Sequence, residues 1–280
     1  MVINGKMFRS VVFHALVLGC GLIMLYPVFW LLSSSVKPTT EIFTSKSLWP
    51  TEFTFQHYSK GWFGLRNIQF GRFFLNSIYL CLVAVIGTVI SSSMAAFAFA
   101  RIQFPLRNLF FALMLGTIML PGHVTLIPQY IMFHKIGWVD TFLPLIAPKF
   151  VGDAFFVFLI VQFIRGIPKE LDESAKIDGC GWFTLFFRII LPLSFPALIT
   201  AAIFTFMGTW DDFFGQLIYL SDIKKFTVPL GLRLFLDSSG SSNWGAVFAM
   251  SVLSILPSLI IFFLGQKYFT QGIATTGLKG

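Results

Sequence analysis

The stretch FFLNSIYLCLVAVIGTVISSSMAAFAFA, residues 73–100, carries no charged side chain over 28 positions. The hydrocarbon core of a bilayer is about 30 Å thick and is crossed by about 20 apolar residues in helical form. A closed barrel is the other spanning solution, and the two-residue alternation that it needs is absent here. The stretch therefore predicts a helix that crosses a membrane.

Working outward, further apolar stretches of that length stand at 11–32, 109–131, 142–164, 189–207 and 245–264. The third is interrupted by Pro121 and Pro128. The fourth contains Lys149 and Asp153, four apart, a spacing that predicts a pair on one helix face. The expectation is an all-α integral membrane protein, one domain of six transmembrane helices over 1–280, with a long loop at 165–192 and a tail at 265–280. Composition agrees. Of 280 residues, 56% are hydrophobic and 11% charged, whereas soluble domains carry about 25% charged residues. The mean hydropathy is +0.81.

The formal charge is +8. The Lys and Arg residues stand singly between apolar segments, which marks loop charges rather than a nucleic-acid surface. Lys6 and Arg9 precede the first stretch, which is too long for a cleaved leader and reads as a retained span. Cys20, Cys81 and Cys180 have no zinc-like spacing, and His14, His57, His123 and His134 lack a second ligand at metal-binding distance in sequence. No metal site is expected. Six spans place both termini on one side. The twenty Lys and Arg residues divide evenly between the sides, so charge alone does not orient the chain.

The loop reads Arg165-Gly-Ile-Pro-Lys-Glu-Leu-Asp-Glu-Ser-Ala-Lys-Ile-Asp-Gly-Cys-Gly-Trp182. Pro168 suits a first helical position, and Glu170, Asp172 and Glu173 favour the positive end of a helix dipole. Leu171, Ala175 and Asp178 recur on one side; Lys169, Glu173 and Lys176 mark a polar side. Gly179 stops the helix. A second helix from Trp182 runs towards Pro192 and Pro196. A short helix and a glycine turn outside the membrane are either an ordinary connector or a knob shaped for another protein's groove.

Glu173-Ser174-Ala175, three residues, Gly179, nine residues, then Ile189, Ile190 and Leu191-Pro192 resembles the cytoplasmic signature of permease subunits in ATP-binding-cassette importers. Ser174 stands where the signature has Ala. Tyr26-Pro27, Ser35-Val-Lys37-Pro38, Trp49-Pro50, Asn76-Ser77, Leu120-Pro121 and Gly137-Trp-Val-Asp140-Thr141 are similar to carbohydrate-importer permeases of the six-helix maltose-system type. So is the tail from Gln266 to Gly280. The resemblance implies docking of a cytoplasmic ATPase by Glu173, Ser174, Ala175, Asp178 and Gly179. It implies a second homologous permease, two ATPase copies and an extracytoplasmic sugar-binding protein. It places the chain in a bacterial inner membrane with both termini cytoplasmic. ATP and Mg belong to the partner, and no cofactor is expected in this chain; the sequence has no GxxxxGK[ST] phosphate loop.

Trp210, Asp211 and Asp212 follow the fifth stretch. The two carboxylates either meet sugar hydroxyls or end the helix in water, and Trp210 either stacks on a sugar ring or belongs to an interfacial belt. Lys224, Lys225 and Arg233, expected outside, would suit an acidic substrate such as alginate. The rival reading is a stand-alone proton-coupled transporter using Asp153, Asp211 or Asp212; it leaves the pattern from Glu173 to Pro192 without a purpose. A membrane-embedded enzyme lacks a nucleophile–base or metal constellation.

Overall fold

A computed structural model describes residues 5–63, 68–236 and 243–277. In chain order the helices are α1 (Gly5–Val36), α2 (Gln56–Phe63), α3 (Phe70–Arg101), α4 (Arg107–Ile118), α5 (Gly122–Lys135) and α6 (Leu143–Ile146). They continue as α7 (Ala154–Gly166), α8 (Glu170–Ile177), α9 (Trp182–Leu185), α10 (Leu191–Leu193), α11 (Phe195–Trp210), α12 (Phe214–Tyr219), α13 (Val228–Leu234) and α14 (Trp244–Gly277). Short 3₁₀ turns cover Ala147–Phe150 and Ile223–Lys225, and Phe186–Ile190 is π-helical. The protein is an all-helical membrane protein.

Four segments are long and apolar enough to cross a bilayer: Arg9–Val36, Phe70–Arg101, Leu143–Gly166 and Trp244–Lys267. A fifth is a bent pair, Trp182–Leu193 and Phe195–Trp210, with 74° between its halves. The expected third span, 109–131, is not one helix. Pro121 has an extended ψ of 127° and divides it into α4 and α5, because a proline cannot supply the helical N–H and pushes its neighbour out of the α region. Pro128, by contrast, sits inside α5.

The expected fourth span, 142–164, corresponds to Leu143–Gly166, with a break inside it. Gly152 has φ +92, and the chain leaves the helix there. Asp153 is then not on a helix face with Lys149. It is the N-cap of α7, and its carboxylate accepts from the backbone N–H of Phe155 and Phe156. Capping satisfies orphan donors at the helix start, so the expected Lys149–Asp153 pair is replaced by a local one. The break packs on α3. Ser91 donates to the Lys149 carbonyl at 3.1 Å, and the Asp153 N–H donates to the Ser92 hydroxyl at 3.2 Å. A Cβ on Gly87 would meet the Phe150 ring at 2.7 Å, so glycine permits this approach.

The chain forms two compact units. In one, residues 1–70 and 232–256, the loop after α1 folds back on polar groups. Lys37 is fully buried and donates to the Ser47 carbonyl, and His57 bonds the Lys37 carbonyl at 2.8 Å. Trp30 meets Phe248 edge-on at 5.1 Å, and Phe43 meets Trp244 at 5.3 Å. In the other, residues 71–231 and 257–280, a buried apolar cluster joins Ala96 and Phe97 of α3, Val157, Ile160 and Val161 of α7, Ala175 of α8, and Ala197 and Ala201 of α11.

Candidate functional site

The loop helix α8 is an eight-residue element. A helix so short is marginal by itself in water, and three devices hold it. The first is its N-terminus, where Glu170, Asp172 and Glu173 all lie in the first turn and complement the exposed N–H groups. Pro168 falls just before the helix rather than at its first position. The second is its C-terminus. Gly179 adopts φ +78, its N–H bonds the Lys176 carbonyl at 3.0 Å, and the Cys180 N–H bonds the Ala175 carbonyl at 2.9 Å. That pair of bonds is the Schellman closure, which needs a left-handed residue after the cap. The third is packing. Lys176 lies 4.8 Å over the Trp182 ring, and Trp182 meets Phe97 of α3 edge-on at 6.2 Å.

The expected docking residues do not all face one way. Glu173, Ser174, Asp178 and Gly179 are exposed. Ala175 is 5% exposed and belongs to the buried cluster; it seats the helix and has no surface to offer. Its inward partner is Asp172, not Leu171 or Asp178, so the buried side is turned from the expected one. Ser174 donates to the Glu170 carbonyl at 2.9 Å, which satisfies its hydroxyl within the helix. On either side of the turn, Ile177 is 87% exposed and Phe183 77%.

Sequence reasoning missed Arg101 as the partner of Asp172. Its Nε lies 2.8 Å from Asp172 Oδ2, with both side chains buried. Arg101 also donates through Nη2 to the Ile167 carbonyl at 2.8 Å. The available signal was an Arg closing an apolar span, together with an acid three residues before an inward Ala.

Asp211 and Asp212 lie at the far end of α11, a helix of 16 residues and therefore about 24 Å long. Asp211 is exposed. Asp212 is half-buried and accepts from the Gly215 N–H at 2.9 Å, which starts α12. Trp210 is 2% exposed and stacks on Phe206 at 5.7 Å, with Phe74 beside it. Its ring is occupied by packing, so Trp210 does not present a face.

Nearby, the start of α3 and the 219–228 segment are joined by polar contacts. Asn76 donates to the Lys224 and Phe226 carbonyls at 3.0 and 2.8 Å, and Arg72 Nε to the Lys224 carbonyl at 3.0 Å. Asp140 adopts φ +61 and accepts from the N–H groups of Ser221 and Asp222. Lys225 Nζ lies 2.7 Å from its carboxylate. The Lys225 hydrogen bond and the Asp222 N–H hold the Asp140 pKa down at about 2. Lys225 is therefore committed to Asp140.

Residues 87–275 match the family model described as the inner membrane component of binding-protein-dependent transport systems. The chain belongs to that family. The permease is 34% identical over 263 residues to the arabinooligosaccharides transport system permease protein AraQ of Bacillus subtilis, covering 93% of this chain and 92% of that one. It is 33% identical over 264 residues to the trehalose/maltose transport system permease protein MalG of Thermococcus litoralis, covering 93% of each. A crystal structure of a bacterial ABC transporter involved in import of the acidic polysaccharide alginate shares the fold, with a TM-score of 0.85, 20% identity, and coverage of 96% of this permease and 99% of that chain. The permease is thus an ABC importer subunit of the inner membrane, and it is not itself the catalyst. A binding-protein-dependent system implies a binding protein, an ATPase and a partner permease beside it. Family membership displaces the proton-coupled alternative, because the energy source sits in a partner.

Proposed function

We propose that the permease supplies half of the translocation pathway for a sugar or oligosaccharide and docks an ATPase through α8 and the Gly179 turn. Two copies of the ATPase engage, one on this chain and one on a related permease. The observation that carries the reading is the construction of α8. Its inner side is rooted in the cluster of α3, α7 and α11, and its outer side ends in a capped turn flanked by exposed Ile177 and Phe183. Large apolar side chains exposed beside a charged turn mark a surface that another protein covers. Glu173, Ser174, Asp178 and Gly179 make the contact, and Ala175 seats it.

In this reading six crossings are completed by α4 and α5 together. With 12 and 14 residues they rise about 18 and 21 Å, so neither alone spans the core. The loop at 165–192 and both termini face the cytoplasm of a bacterial cell. Asp211 and Asp212, which follow Trp210, line the pathway. Carbohydrate is the substrate class because transport systems of the relatives are named for arabinooligosaccharides and trehalose/maltose. An acidic sugar draws less support from the outer charges than the sequence implies, since Lys225 is taken by Asp140. The test is purification of a tagged permease from its native membrane, which should bring a second permease and an ATPase, followed by uptake in proteoliposomes. Uptake should need ATP and the binding protein. Uptake by this chain alone without ATP contradicts the proposal.

A further inference from the structure

Two connections lead from α8 into the membrane. The covalent one passes through the Gly179 turn, α9, the π-helical residues Phe186–Ile190, α10 and a 74° bend before α11. Each of these is a place where a backbone yields: a left-handed glycine, a widened helical turn and a sharp bend. A displacement of α8 sent along this route alone is partly absorbed.

The other connection is Arg101. It is the last residue of α3, and its side chain is 2% exposed. One guanidinium holds Asp172 in the first turn of α8 and the carbonyl of Ile167 just before Pro168. The Asp172 side chain is 10% exposed, and among the described residues neither its second oxygen nor Arg101 Nε has a hydrogen-bond partner, so the 2.8 Å contact between the two groups is an ion pair. Neither charge can leave the other without standing desolvated and unpaired. A surface ion pair is open to solvent, whereas the two side chains here are only 2% and 10% exposed. Arg suits the position because one guanidinium pairs with the Asp172 carboxylate and donates through Nη2 to the Ile167 carbonyl, whereas Lys offers a single point charge. Helix α3 has 32 residues and is therefore about 48 Å long. Its other end holds the carbonyls of Lys224 and Phe226 through Asn76.

We propose that Arg101 is a positioning residue that makes α8 and α3 move as one body, so that the ATPase stroke enters α3 directly and reaches the 224–228 segment. The inference rests on the docking of α8 proposed above. Ile167, Asp172 and Arg101 form the strut; the route through α9 and α10 supplies the compliance that lets α11 tilt differently from α3.

The experiment uses the assembled transporter in proteoliposomes and reads transport per ATP hydrolysed, beside ATPase retained on purification. Asp172→Asn and Arg101→Gln should keep the ATPase and lower transport per ATP by about 5–150-fold, the range of typical coupling between sites. Arg101→Lys should fall between these variants and wild type. A second variant carries Arg101→Cys and Asp172→Cys in a background lacking Cys20, Cys81 and Cys180. Unlinked, it should show the same low ratio; a short bis-maleimide, which adds one cysteine thiol at each end, should restore it. A residue that only stabilises the fold would lower the yield of complex and leave the ratio of assembled complexes at the wild-type value. That result, or a cross-link without effect on the ratio, overturns the strut. An ATPase that fails to associate with the wild-type permease overturns the docking reading instead, so the two failures are distinct.

Discussion

Replacing Gly179 by Ala separates backbone strain from every other effect. The position has φ +78, and a Cβ built there meets no atom of the described residues within 4 Å. The substitution therefore causes no clash, and its intramolecular cost is the left-handed backbone alone, about 1–2 kcal/mol for an L-residue. With a tenfold change for every 1.4 kcal/mol or so, the closed turn loses about 5–30-fold against its open forms. The bonds from Cys180 and Gly179 to the end of α8 break together. An eight-residue helix has little reserve, so the loss falls on its last turn. Gly179→Val should be worse, because a β-branched residue tolerates positive φ poorly. Gly166→Ala is the control. That glycine ends α7, is not among the positive-φ glycines and also has open space around it, so Ala should be neutral or favourable by about 1 kcal/mol. Glu173→Ala leaves the turn intact and removes one exposed charge. The assay is sugar uptake beside ATPase retained during purification. Both the Gly179 and Glu173 variants should lose uptake, and the Gly179 variants should shed the ATPase more readily. Normal uptake in both would make the loop a connector and refute the reasoning.

Three further outcomes concern Asp140, Asp212 and Asp211. Asp140 has its pKa lowered to about 2 from an ordinary 3.8, so its stabilising contribution is complete above about pH 4 and disappears as pH falls through 2. Asp140→Asn, which tolerates the left-handed backbone, should cost about 0–1 kcal/mol of stability at pH 7 for a pair this exposed, read as a slightly lower thermal midpoint of the purified complex. The gap from wild type should close near pH 2; a gap that widens in acid contradicts the assignment. Asp212→Ala should destabilise α12 by about 0.5–2 kcal/mol through loss of the bond to Gly215, with recovery in Asp212→Asn, whereas Asp211→Asn should leave the thermal midpoint unchanged and impair uptake. Equal uptake in Asp211→Asn and wild type removes Asp211 from the pathway.

Much of the loop was legible because its determinants are local. Acids at the start of α8 and Gly179 at its end act within a few residues, and a linear pattern contains them. The inward side of α8 was not legible. Asp172 counts as polar in any helical pattern, and only the Arg101 guanidinium, far away in sequence, allows it to be buried. The same limit explains Lys37, a loop charge by sequence and a fully buried donor in the fold. Hydropathy found the apolar lengths but not their breaks. Residues 109–131 average as a span, while Pro121 divides them through backbone geometry to which hydropathy is blind; 142–164 does correspond to a span, Leu143–Gly166, but the break at Gly152 inside it was not visible. The Lys149–Asp153 spacing failed in a related way, and the burial of Trp210 was equally hidden. Side-chain type suggested exposure or pairing, and the packing of Phe206 and the capping of α7 decided otherwise.

The central claim is that α8 and its turn lie against an ATPase. Ile177 is the most direct reporter, because it is 87% exposed and sits beside the turn without supporting it. Ile177→Cys, in a permease lacking Cys20, Cys81 and Cys180, should be captured by a short thiol–amine cross-linker in native membranes, and the captured polypeptide, identified by mass spectrometry, should be an ATP-binding subunit. A transporter that takes up sugar normally while Ile177→Cys captures no ATPase subunit would contradict the account.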